Sequence, residues 1–74
     1  MIAVRLLTRD EVAEQLAAEG CEPVTQQVFP DHSLWRTAYG MAFLLPEVGP
    51  DFMTAAPALE RAIAQIRAHA PRPN

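Results

Sequence analysis

Apolar positions along the chain fall into two helical stretches separated by a run of strand-like segments. Val12 and Leu16, with Ala13 and Ala17 beside them, form a narrow apolar stripe at helical spacing. Just before it stands Thr8-Arg9-Asp10-Glu11, a capping box. There the Thr8 hydroxyl accepts from the Glu11 amide, and the Glu11 carboxylate reaches back to Thr8. Leu7 and Val12 occupy the two positions of a hydrophobic staple, and Asp10 and Glu11 suit the positive end of the helix dipole. Gly20 supplies a left-handed stop. The pattern predicts a helix over residues 9–19. A second stripe, Leu59, Ile63 and Ile66, predicts a helix near 55–70, with Thr54 as its N-cap and Pro57 tolerated in its first turn.

Between the helices, three segments read as strands: Val24 to Phe29, Leu34 to Thr37 and Met41 to Leu45. Pro30-Asp31-His32-Ser33 is turn chemistry. Gly40 can take the positive φ of a tight hairpin. Pro46 to Asp51 reads as a loop, and Ile2 to Leu7 as an optional edge strand. Pro71 to Asn74 is expected to fray. The expected architecture is a single α+β domain spanning 1–74: helix, three-stranded antiparallel sheet, helix (αβββα), with an extra N-terminal edge strand as an option. Both helices are expected on one face of the sheet.

Strand alternation then poses a question of faces. A two-residue Tyr39-Gly40 loop pairs Ala38 with Met41, Arg36 with Phe43 and Leu34 with Leu45. Leu34, Met41, Phe43, Leu45 and Arg36 then share one face, while Trp35, Thr37, Ala42 and Leu44 share the other. Both faces are partly apolar and two helices cover only one. The open face is expected to expose Trp35 and Leu44, or else Phe43 and Met41, and an exposed apolar patch marks an interaction site. Coverage by a longer loop or by the N-terminal strand is the alternative.

Size sharpens the question. A chain of 74 residues buries only about 60% of the surface its unfolded form exposes, and about 3–5 kcal/mol of net stability is expected. Cys21 is the only cysteine, so no disulfide forms within the chain, and a reducing, cytoplasmic compartment is expected. Cys21, His32 and His69 are too far apart in sequence for a structural zinc site, and no metal or cofactor is expected. The formal charge is −3 and all six positive groups are arginine. No basic patch is visible, which argues against direct nucleic-acid binding. A net negative chain favours basic protein surfaces instead. Charged residues follow directly on Met1-Ile2-Ala3-Val4, so no signal peptide is expected, and no apolar run is long enough to span a membrane.

Candidate chemistry is sparse. Asp31-His32-Ser33 holds the residue types of a hydrolytic triad, but contiguous placement is wrong for one and right for a turn. His32 alone is a weak catalytic candidate, as a general base near neutral pH or a solvated loop residue. Arg67 and His69 complement the dipole of the second helix. Cys21 follows a helix C-terminus, which does not activate a thiol, and reads as a small apolar residue. Trp35, Arg36 and Tyr39 are the residue types that dominate binding hot spots; their bland reading is a core tryptophan, a solvated arginine and a turn tyrosine. With Leu44 they form the candidate partner surface. Asp10, Glu11 and Glu14 on the first helix are expected to steer a basic partner.

The order helix, three strands, helix resembles HicA-type toxins, small ribonucleases with a double-stranded-RNA-binding-domain-like fold. The similarity runs from Thr8 to about Ala70. It rests on the helix ending at Gly20, on His32 at the place of the family's catalytic histidine, and on the Gly40 turn leading to an apolar strand that ends at Pro46. It implies a ribonuclease that uses His32. The chain departs from the family at Pro30-Asp31, where the family has glycine-serine, and in lacking a basic surface. The residues themselves favour a different expectation: a small acidic non-enzymatic protein that binds a protein partner as regulator or inhibitor. Antitoxins and phage-encoded inhibitors, anti-CRISPR proteins among them, share this profile. A third alternative is a structural subunit that forms a homodimer through its sheet.

Overall fold

The computed structural model describes residues 4–71. Residues 1–3, among them the first two of the expected edge strand, and residues 72–74 of the expected frayed tail lie outside the described residues. The elements run β1 (Leu6–Leu7), α1 (Arg9–Ala18), β2 (Glu22–Pro23), β3 (His32–Arg36), β4 (Ala42–Pro46), β5 (Thr54–Ala55) and α2 (Ala56–His69). The fold is α+β. Its main sheet is antiparallel with order β2-β3-β4, and a second antiparallel pair joins β1 to β5. The order is therefore not a plain αβββα.

The first helix forms as its sequence dictates. Both halves of the capping box are made, with the Glu11 N–H donating to Thr8 Oγ1 and the Thr8 N–H to Glu11 Oε1, each at 3.2 Å. At the other end Gly20 takes φ +80°. The Gly20 N–H then reaches the Ala17 carbonyl and the Cys21 N–H reaches that of Leu16, a Schellman closure. The second helix differs from expectation. Thr54 does not cap it; it is fully buried in β5 opposite Leu7. Ala55 holds the cap position without a side-chain bond, and the Ala56 N–H is instead taken by the Arg5 carbonyl at 2.8 Å. The residue just before β1 thus satisfies an N-terminal donor of α2 from outside the helix.

The expected strand over Val24 to Phe29 is not formed. Pairing to β3 stops at Pro23, apart from one bond from the Val24 N–H to the Leu34 carbonyl and an isolated antiparallel bridge between Phe29 and His32. Strand alternation explains the failure: Val24, Gln26 and Val28 would share one face and Thr25, Gln27 and Phe29 the other. Neither row is a continuous apolar stripe. Val28 is accordingly almost fully exposed.

The β3–β4 register is also one residue off the expected one. Leu34 faces Leu44, Trp35 faces Phe43 and Arg36 faces Ala42. The loop holds three residues, Ala38-Tyr39-Gly40. Thr37 closes it by donating its N–H to the Met41 carbonyl at 2.8 Å, and Gly40 sits at φ +93°. The Thr37 hydroxyl favours this longer loop, because it accepts from the Met41 N–H at 2.9 Å. A shift of one residue changes which side chains share a face. Trp35 and Leu45 now point inward, joining Leu7, Val12, Leu16, Cys21, Leu59 and Ile66 in one core that both helices cover. Met41 and Phe43 pack half-buried against it. The other face carries His32, Leu34, Arg36, Ala42, Leu44 and Pro46.

Candidate functional site

A groove of about 440 Å³ opens between the first turns of α1 and the segment joining β2 to β3. Its existence follows from the short β2: residues 25–28, between the Val24–Leu34 bond and the Phe29–His32 bridge, swing away from β3 and leave space against the helix. Val12 and Trp35 contribute apolar lining, and Asp10, Val28, His32 and Ser33 also border it. The groove is largely apolar with a few polar groups, the usual make-up of a binding cleft.

Arg9 and Glu47 also border it. The Arg9 guanidinium donates from Nε and Nη2 to the two carboxylate oxygens of Glu47, at 2.9 and 3.0 Å. The Glu47 side chain is buried, whereas that of Arg9 is largely exposed. The guanidinium also lies 4.3 Å from the centre of the Phe52 ring. The Glu47 contact holds the Arg9 pKa above its ordinary value, against the opposing effect of burial. Phe52 itself has φ +53°, a left-handed conformation rare for a bulky residue. The cluster of Arg9, Glu47 and Phe52 escapes sequence reasoning because its members are far apart along the chain. The one visible hint was an aromatic in a Gly-Pro-Asp turn.

Asp31, His32 and Ser33, read as turn residues, lie partly in β3 and do not assemble as a triad. His32 and Ser33 are adjacent in a strand, so their side chains take opposite faces although both reach the groove. The Ser33 Oγ accepts from the Trp35 indole N–H at 2.8 Å, and among the described residues no hydrogen bond links Asp31, His32 and Ser33. No group of three or more metal-ligating side chains comes together among the described residues. Cys21 is buried, and desolvation, reinforced by the charge of Glu19, raises its pKa. It is a poor nucleophile, as its place after a helix C-terminus implies.

The candidate partner residues separate. Trp35 is 7% exposed and belongs to the core, so it cannot be a surface anchor in this fold. Tyr39 is half-buried and donates its hydroxyl to the Ile66 carbonyl at 2.6 Å, tying the hairpin tip to α2. Arg36 is exposed and paired with Glu22 across β2 and β3. Leu44 is 46% exposed and stands opposite Leu34 on the open face. Glu11 is engaged by the capping box and by Arg5 at 3.3 Å. Asp10 and Glu14 are exposed and form no ion pair among the described residues.

No helix among the described residues is long and apolar enough to cross a membrane. No protein family, no curated protein and no solved structure matches the chain.

Proposed function

We propose that this protein acts by binding another protein, as a regulator or inhibitor, through the acidic start of α1 and the groove beside it. One juxtaposition carries the reading: the unpaired Asp10 carboxylate stands on the border of an open apolar groove. The charge balance supports it. Arg5, Arg9, Arg36 and Arg67 are each neutralised by a glutamate of the same chain. The net negative field therefore comes from acids left free, Asp10 and Glu14 among them. A lysine or arginine of a partner fits such a place, its apolar stem along the groove and its charge at Asp10. Rim charges of this kind act mainly on association rate and on salt dependence.

The test compares capture of a protein partner by the tagged wild type with capture by Asp10→Arg and Val28→Ser. Both positions are exposed, so both variants should stay folded, with Asp10→Arg melting slightly lower because it puts a positive charge at the start of α1. The expected result is one partner held by the wild type, weakened by added salt and lost from both variants. A partner held equally by folded variants overturns the reading. RNA cleavage by the wild type that disappears in His32→Ala would favour the HicA-type alternative instead.

A further inference from the structure

The two groups of strands form one sheet with one bare face. The chain of β4 stays extended as far as Val48, because Glu47 still donates its N–H to the Asp31 carbonyl beside β3. Val48 and Met53 then exchange both backbone hydrogen bonds, at 2.8 and 3.0 Å, and Met53 leads directly into β5. The strands thus follow one another as β2-β3-β4-β5-β1, with β4 in the middle. Alternation sorts their side chains by face. Leu7, Leu45, Glu47 and Thr54 are buried on the face that the helices cover. The opposite face carries a row of cross-strand apolar pairs: Leu34 with Leu44, Val48 with Met53, and Leu6 with Ala55. Leu44, Val48 and Leu6 are 46%, 49% and 44% exposed. The chain measures 16 Å along its shortest axis, the depth of one sheet and one layer of helices.

We propose that a second copy of this chain covers this face, sheet against sheet, in a symmetric sandwich with the helices outside. Area supports it. The broad outline of the chain is 44 by 32 Å. Contact over somewhat less than half of that outline buries roughly 600 Å² per copy, about 1,200 Å² in all, which reaches the range of specific interfaces. A patch of that size is also larger than a chain working alone usually leaves in water.

Charge selects among the occupants. Among the described strand residues the carboxylate and guanidinium on this face are Glu22 and Arg36, already paired with each other, and His32 stands at a corner. A membrane surface is held by basic groups around an apolar patch, and the one arginine here is spent on Glu22. A foreign protein of either charge finds no unpaired carboxylate or guanidinium to recognise. A second copy needs neither, because two flat apolar sheets pack about 10 Å apart on their own side chains. The free acids Asp10 and Glu14 stand on α1, behind each sheet, so two copies of net charge −3 join with those acids held apart. The pair also gains a second core, which a chain of this size otherwise lacks. This inference stands on the sheet face and not on the partner of the groove, although Leu34 borders both.

Sedimentation equilibrium of the tag-free protein tests it, with an expected mass twice the 8.2 kDa of the chain. Leu44→Arg puts a charge at the middle of the face and should weaken association by at least roughly tenfold in Kd. Val48→Glu repeats the test on the same face where Leu44→Arg does not fold. Ala64→Arg, exposed on α2, should leave association unchanged. In a mixture of isotope-labelled and unlabelled chains, NMR should detect contacts between chains at the methyl groups of Leu6, Leu44 and Val48. A wild type of single-chain mass up to about millimolar concentration overturns the proposal. Flotation of that single chain with phosphatidylcholine vesicles would assign the face to lipid instead. A folded Leu44→Arg that associates like the wild type overturns it too, as does an equal loss in Ala64→Arg, or contacts between chains at other residues alone.

Discussion

Arg9 and Glu47, 38 residues apart in sequence, meet through two parallel hydrogen bonds of 2.9 and 3.0 Å at the start of α1. The contact ties the first turn of the helix to the chain just beyond β4. Glu47 is the member that needs it, because its carboxylate is buried and Arg9 donates a hydrogen bond to each of its oxygens.

Removing the arginine should therefore destabilise the fold more than an ordinary surface substitution does. Arg9→Ala leaves a buried carboxylate without its donors. The expected loss is about 1–3 kcal/mol, kept to that range because the Arg9 side chain is itself open to water. Arg9→Lys keeps the charge but not the planar fork, so it should fall between wild type and alanine. Urea denaturation of the three proteins checks the order. Wild-type stability in Arg9→Ala would show that water replaces the guanidinium at no loss.

The pair Arg67–Glu19 connects the end of α2 to the end of α1, with bonds of 2.8 and 2.9 Å. The arginine lowers the Glu19 pKa, chiefly through these hydrogen bonds. A carboxylate with a depressed folded pKa stabilises the fold above its unfolded value, about 4.3, and stops doing so as pH falls through the folded value. Glu19→Gln should thus be less stable than wild type near neutrality. The gap should close as the pH is lowered below the ordinary carboxylate range. Chemical denaturation at a series of pH values measures it, and a gap independent of pH would show that Glu19 acts through packing alone.

Local signals were legible wherever the physics is local. The Thr8–Glu11 box, the Gly20 stop and the Leu59, Ile63, Ile66 spacing each involve residues within a few positions, and both helices lie close to where they are expected. The sheet was only half legible. Its register depends on how many residues the hairpin loop holds, and Thr37 favours three with a hydroxyl bond that composition does not reveal. Thr54 has the residue type of a cap, yet pairing with Leu7 draws it into a strand. That pairing also makes β5, an element with no pattern of its own in two residues. The site followed the same division. Asp10, Glu11 and Glu14 were visible as helix acids, though not that Arg5 and the cap engage Glu11, whereas the groove arises from the failure of residues 24–29 to form a strand, and Trp35 changed sides with the register.

The hairpin loop offers a direct check of that register. Gly40 lies at φ +93°, and a Cβ added there meets nothing within 4 Å. Gly40→Ala should destabilise by about 1 kcal/mol through backbone strain alone. Gly40→Asn should recover part of it, since asparagine visits the left-handed region more readily. Thermal melts rank the three. A loop of the same stability in all would mean that Gly40 does not hold positive φ.

Trp35 is the residue on which the two readings of the sheet differ most. In the register with a two-residue loop its side chain stands on the face opposite Phe43 and Leu45. In the observed register it stands with Leu45 in the core, opposite Phe43, and its indole N–H is satisfied by Ser33. Trp35→Ala then opens a large cavity in a domain with little stability to spare. The expected loss is about 3–5 kcal/mol, comparable with the whole stability expected of the chain. The variant should show collapsed amide dispersion in its NMR spectrum and no cooperative melt. Trp35→Phe retains most of the apolar volume and leaves no indole N–H to satisfy, so it should stay folded with a lower melting temperature. Ser33→Ala isolates the polar part: it strands the indole N–H and should lose about 1 kcal/mol while the core packing persists. A folded Trp35→Ala with a wild-type melt would place the indole outside the core and return the sheet to the other register.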